Sequence, residues 1–269
     1  MSNLAPDDLE LELLVRDPRR LVALDAVHNF RDLGGYPVLD GARLTGTTRW
    51  GVLYRADGLY RLTDADIEVV RGLGLRSVLD LRSQPELDER GRFPDHALEV
   101  AFHHLPIIDA TWDHSSVAAD IDATEFLVWA YDDMIAQGSE RFAAAFATLA
   151  QPGALPAVFH CAAGKDRTGL LAAFVLSAAG VPREVVLRDY ELTGEGMARM
   201  KAWVQREFPE MAELMADTPS AFLAAVPAAL DRVLDRLSTE HGSVGGFLEA
   251  IGVGAATLAT ITAQLVEPM

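Results

Sequence analysis

Short apolar runs separated by polar, glycine-bearing turns set the rhythm of this chain. Residues 155–159 are apolar, broken only by Pro156, and a second apolar run follows at 170–175. Between them lies a polar loop, so the pattern predicts buried strand, tight loop and buried helix. Val78, Leu79 and Leu81 suit a buried strand of a parallel sheet. Residues 48–55 and 100–108 read as further strands, the latter ending at Pro106. Helical spacing predicts a helix over 59–73, with Thr63 as its N-cap and Asp64 and Asp66 in its first turn. One or two helices are expected over 120–150. An apolar helix over 168–179 stops at Gly180, and Pro182 opens the next over 183–192. Residues 1–25 read as a helical or loosely ordered lead-in, and 28–36 as a turn-rich loop containing Asn29, Asp32, Gly34 and Gly35. The expected fold class is α/β, with a central, mostly parallel sheet flanked by helices. Neither an internal repeat nor a low-complexity linker interrupts it, so 1–269 reads as one domain.

Residues 194–230 are open to two readings. Met197, Met200, Met211 and Met215 are spread there among Trp203, Phe208 and Phe222. One reading is the core of an amphipathic helix pair. The other is a helical lid, because flexible apolar side chains suit adaptable surfaces.

The chemistry concentrates in the loop His160-Cys161-Ala162-Ala163-Gly164-Lys165-Asp166-Arg167-Thr168-Gly169. Cys161 is the single cysteine in 269 residues, and five residues separate it from Arg167. A thiolate is the nucleophilic form of cysteine. Backbone N–H groups of residues 162–167 and the start of the next helix would hold an oxyanion there. Gly164 lets the loop curl. Arg167 supplies a planar fork for two phosphate oxygens. Thr168 can hydrogen-bond the sulfur, and His160 can orient the loop. Lys165 would add a cation at the pocket wall. Cys161 would attack phosphorus in line, and an acid would protonate the leaving oxygen. Asp166 is the first candidate for that acid; a structural carboxylate bracing the loop is its alternative. Asp80 is the second, as acid or loop-orienting residue, with a plain ion pair to Arg82 as the alternative. Asp109 and Asp113 come next.

These residues resemble the cysteine-dependent phosphatases of the tyrosine-phosphatase superfamily, whose loop H-C-x5-R-[ST] is matched by His160, Cys161, Arg167 and Thr168. The fuller H-C-x-x-G-K-D-R-T-G resembles a bacterial branch related to secreted mycobacterial and listerial phosphatases. That branch acts on phosphotyrosine, other phosphoresidues and phosphoinositides. The resemblance extends to the N-F-R-D-L-G-G-Y segment at 29–36, to D-L-R-S at 80–83 with the later acid Glu86, and to the closing helices over 228–266. It implies a cysteine-phosphatase fold, a helical lid and no cofactor or metal. Arg31 could then face the site or sit in a structural ion pair. No W-P-D occurs anywhere; Trp112-Asp113 is a loose echo, so the acid stays open.

Three function classes remain: a phosphatase acting on phosphotyrosine, with phosphoserine or phosphothreonine as further substrates; a phosphoinositide phosphatase; and a non-catalytic phosphate-binding module. Retention of both Cys161 and Arg167 argues against the last. A sulfurtransferase loop is commonly shorter and lacks the Arg-Thr-Gly helix entry, and no G-x-x-x-x-G-K-[ST] nucleotide loop is present. The net charge of −17 argues against nucleic acid and against docking on anionic lipid by bulk charge. An anionic substrate must then be drawn in by local cations. Residues 1–20 carry Asp7, Asp8, Glu10 and Glu12 without a basic start, so no secretory signal peptide is expected. No run approaches the ~18 apolar residues of a membrane span. A cytoplasmic location, or export without such a signal, follows.

Overall fold

The computed structural model describes residues 6–94, 98–112, 121–214 and 220–269. The elements in chain order are α1 (Pro6–Val15), β1 (Arg31–Asp32), β2 (Pro37–Asp40), β3 (Arg43–Thr48), β4 (Leu53–Ala56), α2 (Asp64–Gly72), β5 (Ser77–Asp80), α3 (Gln84–Arg90) and β6 (Ala101–His104). They continue with α4 (Ala123–Leu149), β7 (Ala157–His160), α5 (Asp166–Ala178), α6 (Arg183–Glu191), α7 (Thr193–Glu207), α8 (Pro209–Leu214) and α9 (Ser220–Leu223). The chain closes with α10 (Pro227–His241), α11 (Val244–Ala250), α12 (Ala255–Leu265) and β8 (Val266–Pro268).

The main sheet runs in the order β1-β4-β7-β5-β6. Strands β4, β7, β5 and β6 are parallel, and β1 adds an antiparallel edge. The strand that leads into the cysteine loop, β7, is therefore the middle one. Its residues alternate between two cores, as a period of two requires. Ala157 and Phe159 join the core formed with α4, α5, α10 and α11, while Val158 joins the smaller core beneath α2 with Phe30, Tyr54, Val70 and Val78. Helix α5 is buried from Arg167 to Leu176, which explains its unbroken apolar run. A second, antiparallel sheet in the order β2-β3-β8 ties the end of the chain back to its beginning.

Several expected boundaries move. Residues 48–55 are not one strand: β3 ends at Thr48 and β4 begins at Leu53, with a turn through Gly51 at φ +75°. Residues 59–61 form a separate 3-10 turn, and the α-helix starts only after Thr63. Thr63 caps it as expected, in a reciprocal capping box with Asp66. The 28–36 loop contributes the two-residue strand β1. Where one or two helices are expected, Ala123–Leu149 is a single 27-residue helix capped by Asp122.

Candidate active site

The loop leaves the C-terminal end of the central strand, where open α/β sheets gather ligands. It enters α5 at Asp166, so the helix N-terminus faces the same place. Gly164 has φ +65°, and a Cβ there would lie 2.6 Å from the Ala56 carbonyl oxygen. Only glycine fits that approach.

The outer side of the loop is held by donors from three other segments. The Gly58 N–H donates to the Ala162 carbonyl at 3.0 Å. Asn29 Nδ2 donates to the carbonyls of Ala163 at 3.2 Å and Gly164 at 3.0 Å. Arg55 donates a further bond to the Gly164 carbonyl at 2.9 Å. In a planar trans peptide the C=O and the following N–H point in opposite directions. Pinning three successive carbonyls outward therefore turns the N–H groups of Ala163, Gly164 and Lys165 to the concave side. That side can hold an oxyanion.

Cys161 follows the central strand and is 2% exposed. Arg167 is the second residue of α5, and Glu86 holds its guanidinium through both terminal nitrogens, one bond measuring 2.9 Å. Burial disfavours the Arg167 charge, but the Cys161 thiolate and the Glu86 carboxylate outweigh it and keep the group above its ordinary pKa. Glu86 is itself fixed by the capping box of α3, accepting from the Ser83 N–H and hydroxyl at 2.9 Å each. Burial would raise its pKa; the Arg167 bond and charge prevail and lower it.

Asp80 ends β5, fully buried. Arg82 grips it through Nε at 2.9 Å and a terminal nitrogen at 2.6 Å. His160 Nε2 lies 3.6 Å from the same carboxylate, and its Nδ1 reaches the Cys161 carbonyl at 3.1 Å. Burial pushes the His160 pKa down. Burial opposes ionisation of Asp80, yet His160 and Arg82 hold its pKa below the usual value. Asp166 opens α5 half-exposed, accepting from the Tyr131 hydroxyl at 2.9 Å. Thr168 Oγ1 is buried with no partner among the described residues.

One expectation is revised and one open alternative is decided. The Lys165 ammonium does not stand at a pocket wall: it is buried and donates to the carbonyls of Phe222 at 2.7 Å and Ala224 at 2.8 Å, with Asp166 3.5 Å away. Arg31 takes the structural alternative, pairing with Asp189 at 3.0 Å. Asp109 is exposed, and Asp113 lies outside the described residues. The residues that the loop depends on most, Asn29, Arg55 and Asp189, were not singled out in the sequence. The signal for Asn29 lay in the turn-rich 29–36 segment; the two others look like ordinary charges on a strand and a helix.

Most of the described side chains over 194–210 lie outside the core. Among these residues only Gly196 and Val204 are buried, and Phe208 is 45% exposed. Farther on, Phe222 packs against Phe126 with ring centroids 4.5 Å apart. Met215 and the side chain of Met211 lie outside the described residues. Among the described residues no helix is long and apolar enough to cross a membrane.

The sequence profile of the tyrosine phosphatase family matches residues 22–267. The triple specificity protein phosphatase PtpB of Mycobacterium tuberculosis is 31% identical, over 87% of this chain and 95% of its own length. A putative tyrosine-protein phosphatase of Cupriavidus necator is 32% identical, over 89% of this chain and 87% of its own. Among solved structures, the core catalytic domain of the PP-IP phosphatase SIW14 from S. cerevisiae aligns over 72% of this chain and 94% of that one, with a TM-score of 0.39 and 14% identity. The profile match from one end of the α/β core to the other, with the cysteine loop at the end of the central strand, makes this chain a member of the tyrosine phosphatase family.

Proposed function

We propose that the chain hydrolyses phosphotyrosine through a phosphocysteine intermediate, with phosphoserine and phosphothreonine as further substrates. The observation that carries this reading is the row of outward-pinned carbonyls at 162–164, which turns their paired N–H groups inward beside Cys161 and Arg167. Cys161 Sγ attacks phosphorus and displaces the alcohol oxygen. The loop N–H groups and the Arg167 fork hold the three non-bridging oxygens as charge spreads. Thr168 Oγ1, buried and without a partner among the described residues, is suited to hydrogen-bond the sulfur. Asp166 delivers a proton to the leaving oxygen and then takes one from the water that cleaves the S–P bond. Its half-exposed carboxyl supports that role over Asp80, to which we assign the loop-orienting part through His160. Glu86 aims Arg167.

Residues 194–230 act as a cover tied to the loop through Lys165, and 1–269 work as one phosphatase domain, since β8 returns to pair with β3. The protein substrate reading is preferred to inositol lipids because the Lys165 ammonium, the loop cation that would favour so highly charged a substrate, is committed to carbonyls. Nucleic acid is not a proposed partner at a net charge of −17. The site of action is the cytoplasm, or the outside of the cell after export.

The test is a substrate panel of phosphopeptides and inositol lipids run with wild type and Cys161→Ser. Phosphopeptide turnover is expected in wild type and none in Cys161→Ser, which should still bind phosphate because the loop and Arg167 are intact. Turnover by Cys161→Ser at a tenth of the wild-type rate would remove cysteine as nucleophile, and preference for inositol lipids would reverse the substrate reading. In the same panel Asp166→Asn should slow alkyl phosphates far more than nitrophenyl phosphate, by up to about 10²–10⁴-fold for a lost general acid. The same dependence in Asp80→Asn instead would move the acid to the strand end.

A further inference from the structure

Behind the loop, on the side away from Cys161, one carboxylate organises two arginines. Asp189 on α6 is 1% exposed. Its Oδ1 accepts from Arg31 Nε at 3.0 Å and from the Tyr36 hydroxyl at 2.9 Å. Its Oδ2 accepts from Arg55 at 2.7 Å and from a second nitrogen of Arg31 at 3.4 Å. Arg31 also reaches the Asp189 carbonyl at 2.8 Å and Thr193 Oγ1 at 3.1 Å. Both arginines are buried.

Each arginine leads to the loop. Arg55 uses its other terminal nitrogen on the Gly164 carbonyl, at 2.9 Å. Arg31 donates to Asn29 Oδ1. Arginine has donors only, so this contact fixes which end of the amide is oxygen. Asn29 Nδ2 must then face the carbonyls of Ala163 and Gly164, as it does. The two routes from Asp189 converge on the two carbonyls whose direction decides where the next N–H groups point.

The charges explain why a carboxylate is needed. Two guanidinium ions and one carboxylate leave a surplus of one positive charge in a buried place. Burial, then the neighbouring Arg31, pushes Arg55 down to about 10, against the pull of Asp189. Burial would raise the Asp189 carboxyl, but Arg31 and Arg55 hold it well below the usual range. Without the carboxylate the arginines would face each other unpaired, which a buried site does not tolerate.

We propose that Asp189 is a positioning residue for the phosphate loop: through Arg55, and through Arg31 and Asn29, it holds the Ala163 and Gly164 carbonyls outward and so aims the Gly164 and Lys165 N–H groups at the bound phosphate. The proposal rests on the reading of that loop as the phosphate site. It assigns to a residue on another helix, without contact to substrate, the aim of the oxyanion donors.

The experiment compares three variants well below their unfolding temperatures. The readouts are kcat on nitrophenyl phosphate, the inhibition constant of inorganic phosphate, and its direct binding by calorimetry. Asp189→Asn should lower kcat at least about 10-fold, short of the ~10²-fold expected for deleting an oxyanion donor. It should weaken phosphate to a similar degree. Asn29→Ala, which breaks only one route and buries no new charge, should move both readouts in the same direction by less. Tyr36→Phe removes a bond to Asp189 that leads nowhere near the loop; it should lower the melting temperature and leave both readouts alone. A folded Asp189→Asn with wild-type kcat and phosphate affinity overturns the proposal. If Asp189→Asn does not fold, wild-type behaviour of Asn29→Ala overturns it. Should the wild type hydrolyse nothing, the phosphatase reading fails, while phosphate binding by the variants still decides the role of Asp189.

Discussion

Residues 160–168 and residues 194–230 meet at Lys165, and they are held in place by different means. The loop carbonyls take five bonds from Gly58, Asn29, Arg55 and His160, and the loop's arginine is clamped by Glu86. Nearly every supporting residue is buried. The second segment carries long exposed stretches. Up to Phe222 its described ties are mainly polar or aromatic, among them the Lys165 ammonium on two carbonyls, Arg199 Nε on the His28 carbonyl at 3.1 Å, Arg16 on Glu195 and Phe222 on Phe126, whereas at its far end Ala229 and Leu230 belong to the core. A surface with few buried apolar contacts opens at low free energy, whereas a network of buried, mutually satisfied polar groups opens only with the fold. The difference suits a rigid oxyanion site beneath a cover that moves.

The largest break in this comparison should come from Arg167→Lys. Charge is kept, but an ammonium cannot make two in-line bonds to adjacent phosphate oxygens or match the Glu86 carboxylate through a planar fork. Turnover of nitrophenyl phosphate is expected to fall at least ~10²-fold, the scale of one lost oxyanion donor. Near-normal turnover would show that charge alone serves, and that the rigidity around Glu86 is incidental to catalysis.

The loop was legible in the sequence because its demands are local. A thiol, a glycine with positive φ and an arginine at fixed offsets must follow one strand and precede one helix. The strand–loop–helix unit, the cap at Thr63 and the buried strand ending at Asp80 are local in the same sense. Asp189 was not legible. It sits in α6 with an ordinary mix of charged and apolar neighbours, and its meaning appears only when the fold brings it to partners 134 and 158 residues away. Lys165 misled for a related reason. Its place in the loop suggests a hand for the substrate, but a lysine side chain is long enough to turn away and cap the carbonyls of another segment. The methionines of 194–230 follow helical spacing whether that face is covered by protein or lies at a surface, so the pattern could not decide between them.

A smaller effect separates the two regions by pH. Three depressed acids and a depressed histidine lie around the loop. Asp80, Glu86 and Asp189 titrate lower in the fold than the unfolded value of about 4, so their stabilisation is present above that value and is lost as pH falls through the folded ones. Burial likewise lowers the His160 pKa, while the unfolded ring takes a proton below about 6.5. The unfolded state thus binds more protons, and stability falls as pH drops below 6.5. On the alkaline side burial raises Tyr54 to about 12, so its contribution is present below about 10 and declines as pH rises through 12. The melting temperature should therefore decline from pH 7 towards 4, and again above 10. A melting temperature unchanged between pH 7 and about 4.5 would mean that the fold does not depend on keeping a proton off buried His160; the three carboxylates are tested only below about pH 4.

The gentlest change is expected from Lys165→Met, and it addresses the cover alone. The ammonium has three protons; two donate to the Phe222 and Ala224 carbonyls, and Asp166 lies 3.5 Å away for the third. Methionine has a similar reach and no donor. The loop amide of residue 165 survives the substitution, but both carbonyls lose a charge-assisted partner. Such bonds contribute about 1.5–3 kcal/mol each. Opening of the segment re-solvates the carbonyls, so part of that sum is recovered from water. A shift of about 1.4 kcal/mol in the opening equilibrium would already raise the open population tenfold. Limited proteolysis without ligand should then cleave the 194–230 segment roughly ten times faster in Lys165→Met, with the global melting temperature changed much less than by Arg167→Lys. Cleavage at the wild-type rate would mean that Lys165 does not hold the segment down. A parallel fall in melting temperature and rise in cleavage would mean that the segment opens only when the whole domain does, and the contrast between a rigid loop and a movable cover would be lost.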